Sequence, residues 1–385
     1  MNRHFLRDIA DIQTGPFGSQ LHKEDYVDIG TPIVTVEHLG NRVFTEQNLP
    51  KVSDEDKARL SKYVLKEGDI VFSRVGSVDR CSYVDAAHDG WMFSGRCLRV
   101  RPNTEVDPLY LYYFFCLEDT KQFVRNIAVG ATMPSINTKL LGEVEVAYPS
   151  QTEQQKIVAL LSALDDKIEI NQKINDNLAD LLQTIYQGRF GNDILAVNQG
   201  VLSDICSYST DKVAVSELNV RTYFSTENML SGKAGSTEAT SLPTTSQTTA
   251  CHKGDTLISN IRPYFKKIVY CEDKCGCSTD VLCFTPSQPC YSAYLFSTLY
   301  ADKFFAFMVA GSKGTKMPRG DKQQIMTYPV VLPSEEELAG FNTIASPLLE
   351  QIYSNRAENK RLSILRDTLL PKLMSGEIDV SAIQL

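Results

Sequence analysis

The 385-residue chain has no run of about 18 apolar residues, and its N-terminus, MNRHFLRDIADIQTG, has no apolar leader region. A cytoplasmic protein is expected, with its ten cysteines reduced. No phosphate loop of the form GxxxxGK[ST] occurs; GSKGTK, 311–316, has its composition but not its spacing. That counts against an ATP-driven motor. Also missing are an Asn-Pro-Pro-aromatic motif for amino methylation of bases and a Gly-rich cofactor fingerprint after a strand. Five scattered His residues support no His–Cys or His–Ser catalytic set. No segment is strongly basic: 1–150 carries 17 Lys+Arg against 21 Asp+Glu, 151–199 4 against 7, 200–333 13 against 11, and 334–385 5 against 8. This counts against coating nucleic acid by charge alone, though not against local basic loops.

What is present is a long amphipathic stretch. Pro149 ends a strand, Ser150 and Glu153 form a capping box, and one face repeats Ile157, Leu161, Leu164, Ile168, Asn171, Asn175, Leu178, Leu182, Ile185. Steps of 4 and 3 predict a coiled-coil seam ended by Gly188 and Gly191. At ~1.5 Å per residue, about 36 helical residues reach roughly 54 Å. The stretch returns 184 positions later, with Ser334, Glu337, Phe341, Leu348, Ile352, Leu362, Leu365 and Leu369 in matching places. Asn171 and Asn175 match Asn355 and Asn359. Asn in an apolar seam costs stability and sets register, so the two helices are expected to pair in one register through these four residues.

The repeat extends beyond the helices. Leu6, Asp8 and Ile9 match Leu202, Asp204 and Ile205; KEGDIVFSR, 66–74, matches HKGDTLISN, 252–260; Gly130, Met133 and Pro134 match Gly314, Met317 and Pro318. Gly68-Asp69 and Gly254-Asp255 predict tight turns into alternating strands, each running into a basic loop. Aromatic helices at 108–117 and 291–300 carry rings on several faces, and most are read as core. The chain is a tandem duplication: head, long helix, head, long helix.

The opening LRDIADIQTG, GDIVFSR, MPSIN followed by PSQTEQQKIVALLSALDDKIE, and the closing LRDTLLPKLMSGEIDV together resemble the specificity subunit of type I DNA restriction-modification systems. The resemblance covers nearly the whole chain. It implies an α+β protein with two similar α/β target-recognition domains, 1–148 and 191–332. Joining them are two long antiparallel coiled-coil helices, 149–190 and 333–385 with its tail, in a pseudo-twofold tandem repeat. It further implies a non-catalytic chain without cofactor that reads a bipartite double-stranded DNA target. Such a chain docks two methyltransferase (modification) subunits and, through them, restriction subunits. Half-sites on one face of B-DNA lie ~34–36 Å apart or a multiple of that, a span the predicted rod suits. Two other readings stay open: a coiled-coil adaptor that binds proteins only, and a metal-dependent nuclease built on the Cys-rich second unit.

Contacts to DNA are expected from basic, amide or hydroxyl side chains in Gly-flanked loops. In the first head these are Ser19, Gln20, Lys23, Arg74, Arg80, Arg96, Ser135, Asn137 and Lys139. In the second they are Asn260, Arg262, Tyr264, Lys266, Lys267, Lys313, Lys316, Arg319 and Lys322. Arg suits guanine, Asn and Gln suit adenine, and Lys more often meets phosphate.

Two departures break the repeat. MPRGDKQQ replaces MPSINTKL, so any role of the Ser-Ile-Asn motif is confined to Ser135 and Asn137. Arg366 and Ala345 take the places of Leu182 and Leu161, predicting that the second helix splays or snorkels outward. Cys251, Cys271, Cys275, Cys277, Cys283 and Cys290 crowd the second head, but Cys-x3-Cys-x-Cys lacks the paired CxxC knuckles of structural zinc sites. They are read as small buried residues, and no metal is expected.

Overall fold

Lys66–Asp69 turns tightly because Gly68 takes φ +89°, an angle open to glycine, and Asp69 accepts the Lys66 N–H at 2.8 Å. The strand it launches, Ile70–Ser73, is buried at all four residues rather than alternately. The reason is that it serves two cores: Ile70 and Phe72 face one, Val71 the other. The second copy repeats this. Gly254 takes φ +93°, Asp255 accepts the His252 N–H at 2.8 Å, and Thr256–Ser259 is buried throughout. Here Ile258 and Leu257 divide between two cores.

The structure is a computed structural model that describes residues 1–16, 20–191 and 198–381. It divides into two compact units, Met1–Glu169 with Asn359–Leu385, and Ile170–Glu358. Each holds one α/β head and part of both long helices. The fold class is therefore α+β, two similar heads joined by long paired helices.

In the first unit, Ala10–Thr14, Cys97–Pro102, Ile70–Ser73 and Cys81–Tyr83 lie side by side, all antiparallel. In the second, Cys206–Tyr208, Val281–Pro286, Thr256–Ser259 and Ile268–Tyr270 repeat that order. The outer sheets differ. The first runs Tyr26–Val27, Lys51–Val52, Thr31–Val34, Met92–Phe93, and the second Lys212–Ala214, Gln247–Cys251, Cys275–Cys277, Tyr223–Phe224. Each ends in one parallel pair, but the strand in that pair that also joins the rest of the sheet is Thr31–Val34 in one head and Cys275–Cys277 in the other.

Aromatic helices Pro108–Cys116 and Ser292–Tyr300 pack on the inner sheets, with Tyr110, Tyr113 and Phe115, and Tyr294 and Phe296, buried. Asp107 caps the first by accepting from the Leu109 and Tyr110 N–H groups. The matched rings Tyr110 and Tyr294 donate to the Ala147 and Val331 carbonyls, tying each helix to the strand before a long helix.

The long helices run Gln151–Phe190, 40 residues, and Glu335–Ser375, 41 residues. Gly188 lies inside the first; Gly191 follows its end and donates to the Gln187 carbonyl at 2.9 Å. Both begin with the predicted box: Glu153 accepts from Ser150 Oγ at 2.6 Å and Glu337 from Ser334 Oγ at 2.8 Å. The strict 3.5-residue seam holds only near the middle. Toward the heads the buried positions are Ile157, Leu161 and Asp165 in the first unit, and Leu182, Tyr186 and Phe190 in the second. Leu164, Leu178 and Ile185 are only half-buried. Steps of four suit a helix that packs on a head as well as on a partner helix.

Within each unit the helices are antiparallel. In the first, Ile157 and Leu161 share a core with Leu370, Leu373 and Met374. In the second, Leu182, Tyr186 and Phe190 share one with Leu338, Phe341, Ala345 and Leu349. Phe190 meets Tyr294 edge-on at 4.9 Å and Phe341 at 5.5 Å. Each such ring stabilises by roughly 1.5–3 kcal/mol through burial.

The predicted outward splay does not occur at Ala345, which is fully buried, or at Arg366. Arg366 donates to Asp165 at 2.7 Å, and Asp165, 5% exposed, also accepts from the Tyr113 hydroxyl at 2.7 Å. A cation with a buried carboxylate to meet has no reason to snorkel. Burial pushes the Tyr113 phenol well above its usual value, and the neighbouring Asp165 charge adds to it. Of the four seam amides, Asn355 donates to Asn175 at 2.9 Å and Asn171 to Glu358 at 2.7 Å in the second unit. In the first, Asn359 donates to the Ile168 carbonyl at 3.1 Å.

Candidate nucleic-acid interface

The doubly buried strand of each head delivers its last residues into a loop that both heads frame alike. In the first, the Arg74 N–H donates to the Arg96 carbonyl at 2.8 Å, Ile136 to Arg74 at 2.9 Å, and Gly76 to Pro134 at 2.8 Å. In the second, Asn260 donates to Asp280 at 2.8 Å, Gly320 to Asn260 at 3.3 Å, and Arg262 to Pro318 at 2.8 Å. Ser73 and Ser259 each hold the turn by donating Oγ to the carbonyl two residues on. Val129 exchanges two backbone bonds with Ser135, and Lys313 exchanges two with Arg319.

The frame corrects one expectation. The Ser-Ile-Asn motif is lost from the second head in sequence but kept in geometry. Arg319 occupies the place of Ser135 and Gly320 that of Ile136. Asp321 takes over from Asn137: Asn137 caps Thr138–Leu141 by accepting from Leu140 N–H at 2.9 Å, and Asp321 caps Lys322–Met326 by accepting from Gln323 and Gln324 N–H. The cap takes one of the two lone pairs of the Asn137 oxygen and leaves the other, with the amide nitrogen, for a ligand.

The framed loop brings Arg74, Arg96 and Ser135 together in the first head, with Asn137 and Lys139 on the helical turn that follows. Arg74 donates to the Gly95 carbonyl at 3.1 Å. Arg96 and Lys139 are exposed, with no side-chain hydrogen bond or ion pair among the described residues. Arg80 closes the same loop through its backbone, its carbonyl accepting from the Ser73 N–H at 2.9 Å, while its side chain and Gln20 stand elsewhere. Arg80 donates to the Leu39 carbonyl over Gly40, where a Cβ would meet its Nε at 2.6 Å. Gln20 accepts from the Tyr63 hydroxyl at 2.6 Å on the outer core. Ser19 and the side chain of Lys23 lie outside the described residues.

The second head brings Asn260, Arg262, Lys313, Lys316 and Arg319 to one loop cluster. Asn260 Oδ1 and Arg262 Nε are buried with no partner among the described residues. Three of the cations already have carboxylates: Lys313 with Asp321 at 2.5 Å, Arg319 with Asp280 at 3.2 Å, Lys266 with Asp302 at 2.9 Å. Exposed pairs of this kind contribute only ~0–1 kcal/mol, so a phosphate can displace the carboxylate at little cost. Lys316 is exposed and Lys322 lies 6.0 Å from the Tyr208 ring centroid. Lys267 donates to the Thr226 carbonyl at 2.6 Å, and burial lowers its pKa.

Sequence reasoning missed Lys233. Its N–H donates to the Lys266 carbonyl, its Nζ reaches Asp302 at 2.7 Å, and it lies 4.5 Å from the Tyr300 ring centroid. The signal was Gly-Lys-Ala-Gly, 232–235, where Gly232, Lys233 and Gly235 all take positive φ. Cys251, Cys271, Cys275, Cys277 and Cys283 pack into one core with Met229, Leu257, Val269 and Val281; Cys290 is exposed. Among the described residues, no group of three or more His, Cys, Asp or Glu is arranged to hold a metal ion.

Residues 2–179 match the family described as the type I restriction modification DNA specificity domain. The chain is 23% identical to the type I restriction enzyme MjaIX specificity subunit of Methanocaldococcus jannaschii, over 97% of this chain and 93% of the relative. It is 27% identical to the type I restriction enzyme HindI specificity subunit of Haemophilus influenzae, over 42% of this chain and 36% of the relative. Its fold is like that of the type I restriction-modification S subunit from M. genitalium, with TM-score 0.57 at 18% identity, covering 97% and 95% of the two chains.

Proposed function

We propose that this chain is a specificity subunit of a type I restriction-modification system, and that its two heads read the two unlike halves of an asymmetric DNA target. The observation that carries this reading is the framed loop. Both heads hold the same backbone bonds at the end of the same strand, yet present Arg74, Gly76 and Ser135 in one and Asn260, Arg262 and Arg319 in the other. A constant frame with exchanged side chains is what two readers of different sequences require. Arg262 and Arg74 are assigned to base edges, and Arg96, Lys139, Lys316 and Lys313 to phosphates.

In this reading the chain catalyses nothing. Two modification subunits supply the methyl transfer, restriction subunits join through the complex, and the assembly works in the cytoplasm, where the DNA is. The repeat supports two equal docking positions: Leu365 in the first unit and Leu181 in the second are matched, and both are nearly half exposed at 46% and 47%. A net charge of −8 on the chain fits an assembly in which the modification subunits hold much of the phosphate backbone.

Methylome sequencing of cells with and without the gene tests the reading. One bipartite motif should lose its methylation when the gene is removed. An unchanged methylome, together with no sequence preference in a gel shift with the modification subunits, would favour the adaptor and sink the proposal.

A further inference from the structure

The second head exposes an aromatic pair that has no counterpart at the matching turn of the first. Tyr264 and Phe265 are 50% and 38% exposed, with ring centroids 4.7 Å apart and planes tilted by 56°. They lie in the single turn Pro263–Phe265, bracketed by Arg262 and Lys266, both left-handed at φ +50° and +51°. Side-chain-bearing residues rarely take these angles unless the surroundings hold them there. Here the backbone is laced on both sides. Arg262 N–H donates to Pro318, Phe265 N–H to Arg262, Gly232 N–H to Phe265 and Lys233 N–H to Lys266, all at 2.8–2.9 Å. In the first head, Gly76 takes the left-handed position without strain, and Val78, in the matching place, is buried in the core.

A strained, tethered turn that holds two rings in water does not serve the core. Cations flank the rings on both sides, and the turn is continuous with the framed loop through Arg262 and Pro318. An anionic partner with flat apolar faces fits this surface, which is a description of stacked bases between phosphates. Building on the DNA reading above, we propose that Tyr264 and Phe265 form a wedge. It enters one base step of the second head's half-site, unstacks it and kinks the duplex. That half-site is then read partly through how easily the step deforms, with flexible pyrimidine–purine steps preferred. The first head, without such a wedge, reads its half by direct contacts alone.

The test uses the full chain assembled with its modification subunits on its methylated target, with 2-aminopurine placed in turn at each position of the second half-site. The fluorescence at one step should rise several-fold on binding. The Tyr264→Ala, Phe265→Ala double variant should lose that rise and bind about tenfold more weakly. Tyr264→Trp should keep both. A rise caused by the modification subunits at the adenine they methylate would persist in the double variant, which separates it from the wedge. Identical scans and affinities for wild type and double variant overturn the wedge while leaving the DNA reading intact. Loss of subunit assembly in the variant, with no unstacked step in wild type, overturns it in favour of a protein-docking surface. A wild-type complex with no preference for its methylated sequence fails the DNA reading itself.

Discussion

The two units meet the long helices with different chemistry at one matched place. Asp165 and Arg366 in the first correspond, 184 positions apart in the repeat, to Leu349 and Leu182 in the second. One unit closes its seam with a buried carboxylate, a guanidinium and the Tyr113 hydroxyl; the other closes it with two leucines in an aromatic core. Both are stable solutions of one backbone, since a paired and hydrogen-bonded charge and an apolar pair of similar volume are close in free energy. They differ in what a single substitution does. The outer sheets tell the same story at larger scale. The inner sheets keep one strand order, whereas the outer ones diverge.

Asp165→Ala should give the largest effect, destabilising the first unit by about 2–3 kcal/mol, because it leaves Arg366 and the Tyr113 hydroxyl without their shared partner. Asp165→Leu with Arg366→Leu and Tyr113→Phe, which copies the apolar solution, should return to within ~1 kcal/mol of wild type. Hydrogen exchange resolved by unit checks both. If the single and triple variants were equally damaging, the equivalence of the two closures would fail.

The comparison of framed loops sharpens at Arg262. Arg262→Ala should relax specificity in one half-site only, by ~1–3 kcal/mol, read from binding to single-base variants of the target. Equal weakening for every sequence would make it a phosphate contact. Arg262→Gly should relax specificity equally, yet stabilise the second unit by up to ~1 kcal/mol, since glycine takes φ +50° without strain.

Glu272, in the second unit, carries a pKa raised to about 7, first by burial and then by neighbouring Asp273 and Glu350. The folded state therefore binds more protons than the unfolded between about pH 4.5 and 7, and stability falls as pH rises through that window. Glu272→Gln should flatten this slope. Solvent screening of a half-buried group limits the change to at most ~1 kcal/mol, visible as melting temperatures that converge at low pH and separate at high pH.

The smallest contrast is an expected equality. Ser150→Ala and Ser334→Ala remove matching capping boxes, and each should lower the melting temperature of its own unit by about 2–4 °C. An inequality would show that one helix start is held mainly by its head.

Much of this was legible in the residues themselves. A 3.5-residue step, a capping box repeated after 184 positions and Gly-Asp turns are local signals, and local backbone geometry follows from them. The tandem order of head and helix followed in the same way. Tertiary packing decided the rest. Nothing near Asp165 in the sequence announces its partners Arg366 and Tyr113, 201 and 52 positions away. Arg80 and Asn137 read from the sequence as loop residues alone; only the fold shows that Arg80 also donates to the Leu39 carbonyl and that Asn137 also caps Leu140. Asp321 and Arg319 share no motif with Asn137 and Ser135, yet inherit their places, because a cap needs any short acceptor and a bridge needs only backbone. Periodicity records which face of an element is apolar; what that face or a polar atom meets depends on chain segments far away in sequence, and only the folded chain brings those together.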